Sequence, residues 1–379
     1  MLRRILINNY KLFENFDLEL DEGINLVCGP NGSGKSALLD LLYALTRFLA
    51  MPHFSEHVSF SVEEAFPFGV FRRWISQESG YGDMEVKVEI DDTGGGVFFY
   101  DLTIRYNFLE RKNRVEKEVL TYKGKEVIEF LEGSISMFTD DKRQLAFKSD
   151  WNTSGVVIGS PNNSIVRRFG EMVSRIIPLH IVPFAMRQDF THGSRALGKL
   201  GENFPAWRFD RIISQSEKQN WVIEQCKNFI PGLVSINNPK SGDIYRLAVR
   251  VNFEGKNHDL HFQELSDGQK VLMALYYILA NIPDRSTLIL DEPENFLAPG
   301  ELQPWLDAMH DAWEERDIQF IVISHNPKTL NWFHNEAFIF HVGGEPPRVV
   351  CNKYGEGKEG LTLFNKLCEM EWAANEAGF

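Results

Sequence analysis

The segment Gly29-Pro30-Asn31-Gly32-Ser33-Gly34-Lys35-Ser36 constrains this chain of 379 residues more than any other, because it fits G-x-x-x-x-G-K-[ST] at every fixed position. The pattern carries meaning only between a strand and a helix, and both flanks supply that context. Ile24 to Cys28 is a short apolar run that reads as a buried strand, and Leu38, Leu39, Leu42 and Leu45 recur at helical spacing after the loop. Each residue type has a physical task. Glycines let backbone N–H groups converge on phosphate oxygens where a side chain would block the approach. The start of the helix adds a favourable partial positive charge. Lys35 is expected to reach the β- and γ-phosphates of a nucleotide, and Ser36 to ligate Mg²⁺. Gly29, Asn31, Gly32, Ser33, Gly34 and Ala37 complete the expected phosphate-binding set.

A second constellation lies in the last third of the chain. Thr287 to Leu290 is an apolar strand pattern that ends in Asp291-Glu292. Carboxylates at a strand end suit an open α/β sheet, where ligands bind outside the C-terminal ends of the strands. Asp291 is expected to hold Mg²⁺ through water, and Glu292 to orient and deprotonate the attacking water. Adjacent residues of one strand point to opposite sides, which gives the two acids separate roles. Upstream, Glu264-Leu265-Ser266-Asp267-Gly268-Gln269 opens the apolar helix pattern VLMALYYILA, offering a hydroxyl, amides and the helix dipole to a phosphate. Downstream, Phe320 to Ser324 reads as another buried strand, and His325 at its end reads first as a satisfied structural histidine and second as a sensor of a γ-phosphate.

The order GPNGSGKS, LSDGQ, LILDEP, ISH resembles the ATP-binding-cassette (ABC) ATPase superfamily, and NNYKLFENFDLEL followed by GINLVCGPNGSGKS resembles its SMC/RecF/OLD-like branch of bacterial AAA-type ATPases. The resemblance is close over residues 1–50 and 260–345 and architectural between them. It implies an α/β head: a P-loop mixed sheet with a flanking antiparallel β-lobe, plus a helical subdomain. It also implies ATP and Mg²⁺ held between two subunits, with Ser266, Gly268 and Gln269 acting on the partner's nucleotide. Glu292 would be the catalytic base, His325 the switch histidine, and Lys35 a catalytic phosphate ligand. LSDGQ departs from the usual LSGGQ at Asp267, and Ala298 stands where OLD-like relatives often carry His. The glutamine that this superfamily places near the metal is assigned to Gln188, after the apolar run Leu179–Phe184. Tyr10 and Lys11 lie where this branch often contacts nucleotide.

The 230 positions from Ser36 to Ser266 hold no sustained heptads, so a long SMC coiled coil is not expected. Residues 84–90, 96–107 and 113–122 alternate as antiparallel strands; 163–178 and 205–230 read as helices and 244–253 as a strand. The expected division is 1–200 for the N-terminal lobe, 201–260 for a helical/β insertion, and 261–379 for the C-terminal lobe. Residues Arg105 to Lys125 hold seven Lys/Arg and three Glu, a net of +4, which reads first as a solvated strand pair and second as a basic hairpin for DNA or RNA. The pair His258 and His261 has no matching second cluster for a metal.

The formal net charge is −13, and 43% of residues are hydrophobic, which excludes a wholly disordered chain and argues against a dedicated nucleic-acid coat protein. Thr287 to Asp317 contains nine acids and one Arg, so −8 of the −13 is local to the second constellation. The four cysteines are widely spaced, as expected of reduced thiols in a cytoplasmic protein. The longest uncharged apolar stretch in the C-terminal half, Val271 to Pro283, is 13 residues, short of the roughly 20 that span a bilayer. After His325 there are 54 residues, too few for the TOPRIM nuclease domain of the OLD family. The tail from Glu359 reads as a terminal helix, packed on the core or docking a partner. The expectation is therefore a cytoplasmic, non-membrane ATPase that dimerises or forms a higher oligomer. It would be the sensor or motor of an antiphage defence or nucleic-acid transaction, working with a separately encoded effector, a nuclease by resemblance. A nucleotide-gated scaffold with little turnover is the alternative, and a transporter ATPase a minor one.

Overall fold

The computed structural model describes residues 1–51, 59–72, 80–141, 143–214, 217–354 and 362–376. They fall into two compact units: Met1–Ile177 with Ser286–Ile289 and Gln319–Phe379, and Pro178–Arg285 with Leu290–Ile318.

The first unit contains an eight-stranded antiparallel sheet in the order Phe16–Glu19, Leu2–Asn8, Tyr81–Asp92, Gly96–Asn107, Lys112–Tyr122, Lys125–Leu131, Ser134–Phe138, Gln144–Lys148. Its residues pair as the alternation predicts. Met84, Val86, Val88 and Ile90 face inward at 1% exposure or less, while the residues between them are half-buried. A six-stranded sheet has the order Ile176–Leu179, Thr287–Asp291, Gln319–Ile323, Ile24–Cys28, Ala337–Gly343, Arg348–Lys353. Ile24–Cys28 runs parallel to both Gln319–Ile323 and Ala337–Gly343. Every residue of Ile24–Cys28 and Gln319–Ile323 is buried, as continuous apolar runs in a parallel sheet require. The helix Lys35–Phe48 buries Leu38, Leu39, Leu42 and Leu45. These leucines share one hydrophobic cluster with both sheets.

Two buried amides tie this unit together. Gln319 is 1% exposed. Its Nε2 donates to the carbonyls of Leu2 and Asp21, both at 2.8 Å, and its Oε1 accepts from Leu2 N at 3.0 Å and Thr287 Oγ1 at 2.7 Å. Asn25 is fully buried, and its Nδ2 donates to the carbonyls of Asp21 and Phe320 at 2.9 and 3.2 Å. Both groups are satisfied, so their burial costs little.

The second unit is mainly helical. Asp267–Asn281 is buried continuously from Val271 to Asn281. It has for company the helices Phe204–Ser214, Glu217–Lys227 and Pro299–Arg316 and two three-stranded sheets. In one of these, Ala248–Phe253 pairs with Leu233–Asn237 and Lys256–His261.

Two local expectations need correction. Residues 163–178 are not one helix: Ser164–Ser174 is helical, and Ile176–Leu179 is a strand, where Ile176, Ile177 and Pro178 disfavour helix. The helical expectation over 205–230 holds for Phe204–Ser214 and Glu217–Lys227; residues 215–216 lie outside the described residues. The strand expected over 244–253 is broken at the fully buried Leu247, its first part pairing with Asp189–Phe190 and Lys240–Ser241 and its second with Leu233–Asn237. The tail forms a helix over Leu363–Glu376 with Leu363 and Leu367 buried; residues 359–361 and 377–379 lie outside the described residues.

Part of the basic stretch is paired with acids. Arg105 is bidentate to Asp83 at 2.8 Å and also bonds Glu116, and Lys117 Nζ lies 3.1 Å from Asp101. Glu118 lies within this stretch yet is 1% exposed. It accepts from Tyr100 Oη (2.8 Å), Ser154 Oγ (2.6 Å) and Gly155 N (2.6 Å). Burial outweighs these bonds and pushes its carboxyl above the ordinary value of 4.5. The folded chain therefore binds this proton more tightly than the unfolded chain, so this group adds stability as pH falls from neutral towards 4.5. Thermal melts of Glu118→Gln and the wild type are expected to show the wild type gaining on the variant between about pH 7 and pH 5. A constant or narrowing difference would show that the carboxyl is not raised.

Candidate functional site

The phosphate loop has the conformation that its glycines predict. Gly29, Gly32 and Gly34 have φ of 145°, 78° and 97°. A Cβ on Gly29 would stand 2.0 Å from the Phe340 carbonyl oxygen, and one on Gly34 would stand 2.7 Å from Val349 Cγ2. The loop is thus wedged against the neighbouring strand and cannot take side chains at these two places. Gly34 precedes the helix Lys35–Phe48 in a left-handed conformation, and no side chain caps that helix start. Lys35 is 5% exposed and its Nζ donates to the carbonyls of Gly29 and Pro30, both at 2.8 Å. Ser33 is buried; Asn31, Gly32 and Ser36 are exposed, and Ala37 is half-buried. A cradle of inward-turned backbone, an uncapped helix start and a held ammonium fit a polyphosphate.

Around this loop, Tyr10 is 2% exposed and packs on Phe13, so it belongs to the core. Lys11 pairs with Asp40 at 2.7 Å. Cys28 is fully buried and burial pushes its thiol up to about 12, which leaves it chemically quiet beside the loop. His325 is half-buried directly after Ser324 at the end of Gln319–Ile323, in the same unit as the loop.

In the second unit, Asp291 closes the strand Thr287–Asp291 and its side chain is 8% exposed. Glu292 does not continue that strand. Its φ is 49°, so the two acids are separated by a left-handed turn and not by strand alternation. Asn295 Nδ2 donates to Glu292 Oε2 at 2.6 Å and fixes the carboxylate. Hard oxygen donors of this kind fit Mg²⁺.

Ser266 caps the helix Asp267–Asn281. Its Oγ accepts from Gln269 N at 3.2 Å, and its N–H donates to Gln269 Oε1 at 3.0 Å. Gln269 Nε2 is held by the Phe229 carbonyl at 3.0 Å. A Cβ on Gly268 would come within 2.6 Å of the Phe296 carbonyl oxygen. Ser, Gly and Gln therefore each have a local structural reason, and Ser266 remains exposed. Asp267 sits in the first turn, where an acid complements the helix dipole, and it pairs with Lys270 at 3.2 Å.

Gln188 does not follow a strand but immediately precedes the strand Asp189–Phe190. The preceding strand stops at Leu179, and Pro183–Ala185 is a short 3₁₀ turn. Gln188 is half-buried, with its Oε1 buried and lacking a hydrogen-bond partner among the described residues. The residue that does follow the strand is His180, whose Nδ1 lies 3.2 Å from the Asp291 carbonyl oxygen. Sequence reasoning missed it; the signal was a single polar residue directly after Ile176–Leu179. His258 and His261 lie in the strand Lys256–His261, and no group of three or more potential metal ligands exists among the described residues. No helix among them is long and apolar enough to cross a membrane.

Residues 1–160 match the family described as "AAA ATPase domain", and residues 177–331 match "AAA domain, putative AbiEii toxin, Type IV TA system". The chain is 46% identical over 44 residues to the DNA replication and repair protein RecF of Aliivibrio salmonicida, and 48% identical over 44 residues to that of Erwinia tasmaniensis. Each match covers 12% of this chain and 12% of the relative. The fold is similar to that of an SMC head solved bound to the C-winged helix domain of ScpA, with a TM-score of 0.52 at 14% identity over 93% of this chain and 97% of the other. Residues 1–160 and 177–331 are thus each similar to AAA-family ATPase domains, and the chain that carries them has a fold similar to that of an SMC head.

Proposed function

We propose that this chain hydrolyses ATP with Mg²⁺ as a nucleotide-dependent dimer. In this reading it is the sensor or motor subunit of a bacterial antiphage defence or nucleic-acid transaction, and acts in the cytoplasm with a separately encoded effector, a nuclease. The observation that carries the ATP reading is the cradle: Gly29 wedged against the Phe340 carbonyl, an uncapped helix start and a buried Lys35. The loop amides and Lys35 bind and orient the phosphates, and Ser36 and Asp291 hold the metal. Bound Mg²⁺ supplies charge neutralisation to the phosphoryl oxygens. Glu292, held by Asn295, takes the proton of the attacking water. The exposed Ser266 at a helix start suits a phosphate from a second subunit, as ABC relatives use it, and supports the dimer. The likeness of residues 177–331 to a toxin-associated AAA domain, and of the chain to RecF, supports a role in defence or DNA metabolism.

Lys35→Ala is expected to weaken ATP binding by roughly ten- to a hundredfold, the worth of a charged hydrogen bond of about 1.5–3 kcal/mol. Titration with a fluorescent ATP analogue checks this, and unchanged affinity would contradict the phosphate-loop assignment. Glu292→Gln is expected to keep ATP affinity, lower kcat by roughly 10²–10⁴-fold, and trap an ATP-bound dimer seen by size-exclusion light scattering. Turnover at the wild-type rate in that variant would sink the role of Glu292. Gly29→Ala places a methyl 2.0 Å from a backbone oxygen at φ 145°, so a lower melting temperature and lost ATP binding are both expected.

A further inference from the structure

The eight-stranded sheet has two outer strands of opposite character. At one end, Phe16–Glu19 buries Phe16 and Leu18, and its outward residues are Asp17 and Glu19. Acids on an edge strand deter pairing with another chain. At the other end, Gln144–Lys148 pairs, among the described residues, with Ser134–Phe138 alone, and all five of its residues are exposed. Leu145 and Phe147 stand opposite Met137 and Ile135 and share their face of the sheet. The helix Gly155–Gly159 packs on that face against Ile135 and Met137, which are 0% and 1% exposed, yet Leu145 and Phe147 are each 36% exposed. The strand has no proline, its pairing with Ser134–Phe138 has no bulge, and its one charge is Lys148. The usual protections of an edge are therefore nearly absent.

Thr139 N donates to the Arg143 carbonyl at 2.9 Å, and Ser149 N donates to the Gly133 carbonyl at 3.0 Å. Residues 143 and 149 thus turn their backbone groups into the sheet. With a period of two, Leu145 and Phe147 do the same, while Gln144, Ala146 and Lys148 turn N–H and C=O away from it. We propose that this open edge pairs antiparallel with the same strand of a second copy of the chain, about a two-fold axis at Ala146 perpendicular to the sheet. Such an axis keeps Leu145 and Phe147 of both copies on one face. Gln144 then stands opposite the partner's Lys148, Leu145 opposite the partner's Phe147, and Ala146 opposite the partner's Ala146. Outward residues meet outward residues, and each such pair exchanges both N–H···O bonds. Apolar side chains meet on one face, and an ammonium meets a neutral amide on the other. Lys148 and the partner's Lys148 lie four residues apart along the strands, about 13 Å, beyond a Debye length of about 8–10 Å. Parallel pairing would set these ammonium groups side by side, so charge selects the antiparallel arrangement. Moving the axis to Leu145 or Phe147 would carry one outward residue past the end of the facing strand. The contact spans five residues a side, so it is weak and concentration-dependent. It needs no nucleotide and is separate from the nucleotide-dependent dimer proposed above; the two contacts together build higher oligomers.

The test is light scattering of the purified full chain without nucleotide over a series of concentrations, with disulfide cross-linking to read the register. The wild type is expected to pass from monomer to dimer as concentration rises. Ala146→Pro removes an outward N–H and none of the bonds to Ser134–Phe138, so it is expected to raise the dimer dissociation constant roughly tenfold or more. Phe147→Lys leaves the backbone unchanged, places a charge on the apolar face and is expected to do the same, which keeps the test decisive if the proline lowers the melting temperature. Ala146→Cys, on the axis, is expected to oxidise to a linked dimer that the wild type does not form, because facing Cα atoms of such a pair lie about 5.5 Å apart. Leu145→Cys, whose two copies are offset by two residues and beyond disulfide reach, is expected to stay unlinked. A wild type that remains monomeric at every concentration overturns the proposal. A nucleotide-free dimer that survives Phe147→Lys, or that cross-links through Leu145→Cys as readily as through Ala146→Cys, overturns it equally.

Discussion

The strand Ile24–Cys28 can launch a phosphate loop only because the far end of the chain holds it on both sides. Gln319–Ile323 pairs parallel to it on one side and Ala337–Gly343 on the other. Parallel pairing cannot be made by a tight turn and demands long connections. The Gln319 amide adds a second constraint, since its four hydrogen bonds join Leu2, Asp21 and Thr287 in one buried node. Removing one partner of such a node strands buried donors and acceptors. The loop's shape follows from this frame: Gly29 is pressed against the Phe340 carbonyl because Ala337–Gly343 lies alongside.

The charge distribution shows how pairing decides what a run of like residues does. The basic stretch from Arg105 to Lys125 reads +4 in isolation. The antiparallel register sets Asp83 directly opposite Arg105 and leaves Asp101 and Glu116 diagonal to Lys117 and Arg105, close enough to pair with them. What remains is a pair-laced strand surface with modest attraction for phosphate. The acidic run from Thr287 to Asp317 divides differently: Asp291 and Glu294 are buried, whereas Asp307, Asp311, Glu314 and Glu315 lie on the helix Pro299–Arg316. One sequence property therefore has two outcomes, buried carboxylates at and after a strand end and the solvated face of a helix.

Residues can satisfy a functional pattern and a structural need together. Ser266, Gly268 and Gln269 cap a helix, admit a close backbone approach and anchor on Phe229. Those tasks alone would select the same residue types. The functional reading of Ser266 therefore draws on its exposure at a helix start and on the family, and the cap does not contradict it, because a serine hydroxyl both donates and accepts.

The sequence by itself determined the strongly periodic parts: the strand and helix around the phosphate loop, the alternating strands of the antiparallel sheet, the buried helix Asp267–Asn281 and the strand leading to Asp291. In these the local pattern and the burial demand agree, so no distant partner is needed to read them. Tertiary structure decided where periodicity was weak or interrupted. It made Ile176–Leu179 a strand, because a place beside Thr287–Asp291 outweighed the continuation of the preceding helix. It turned Glu292 off the strand into a left-handed conformation that its composition does not announce. It also brought His180 to Asp291, a contact between residues 111 positions apart. Such a juxtaposition has no local signal, since it depends on which strands become neighbours in the folded sheet.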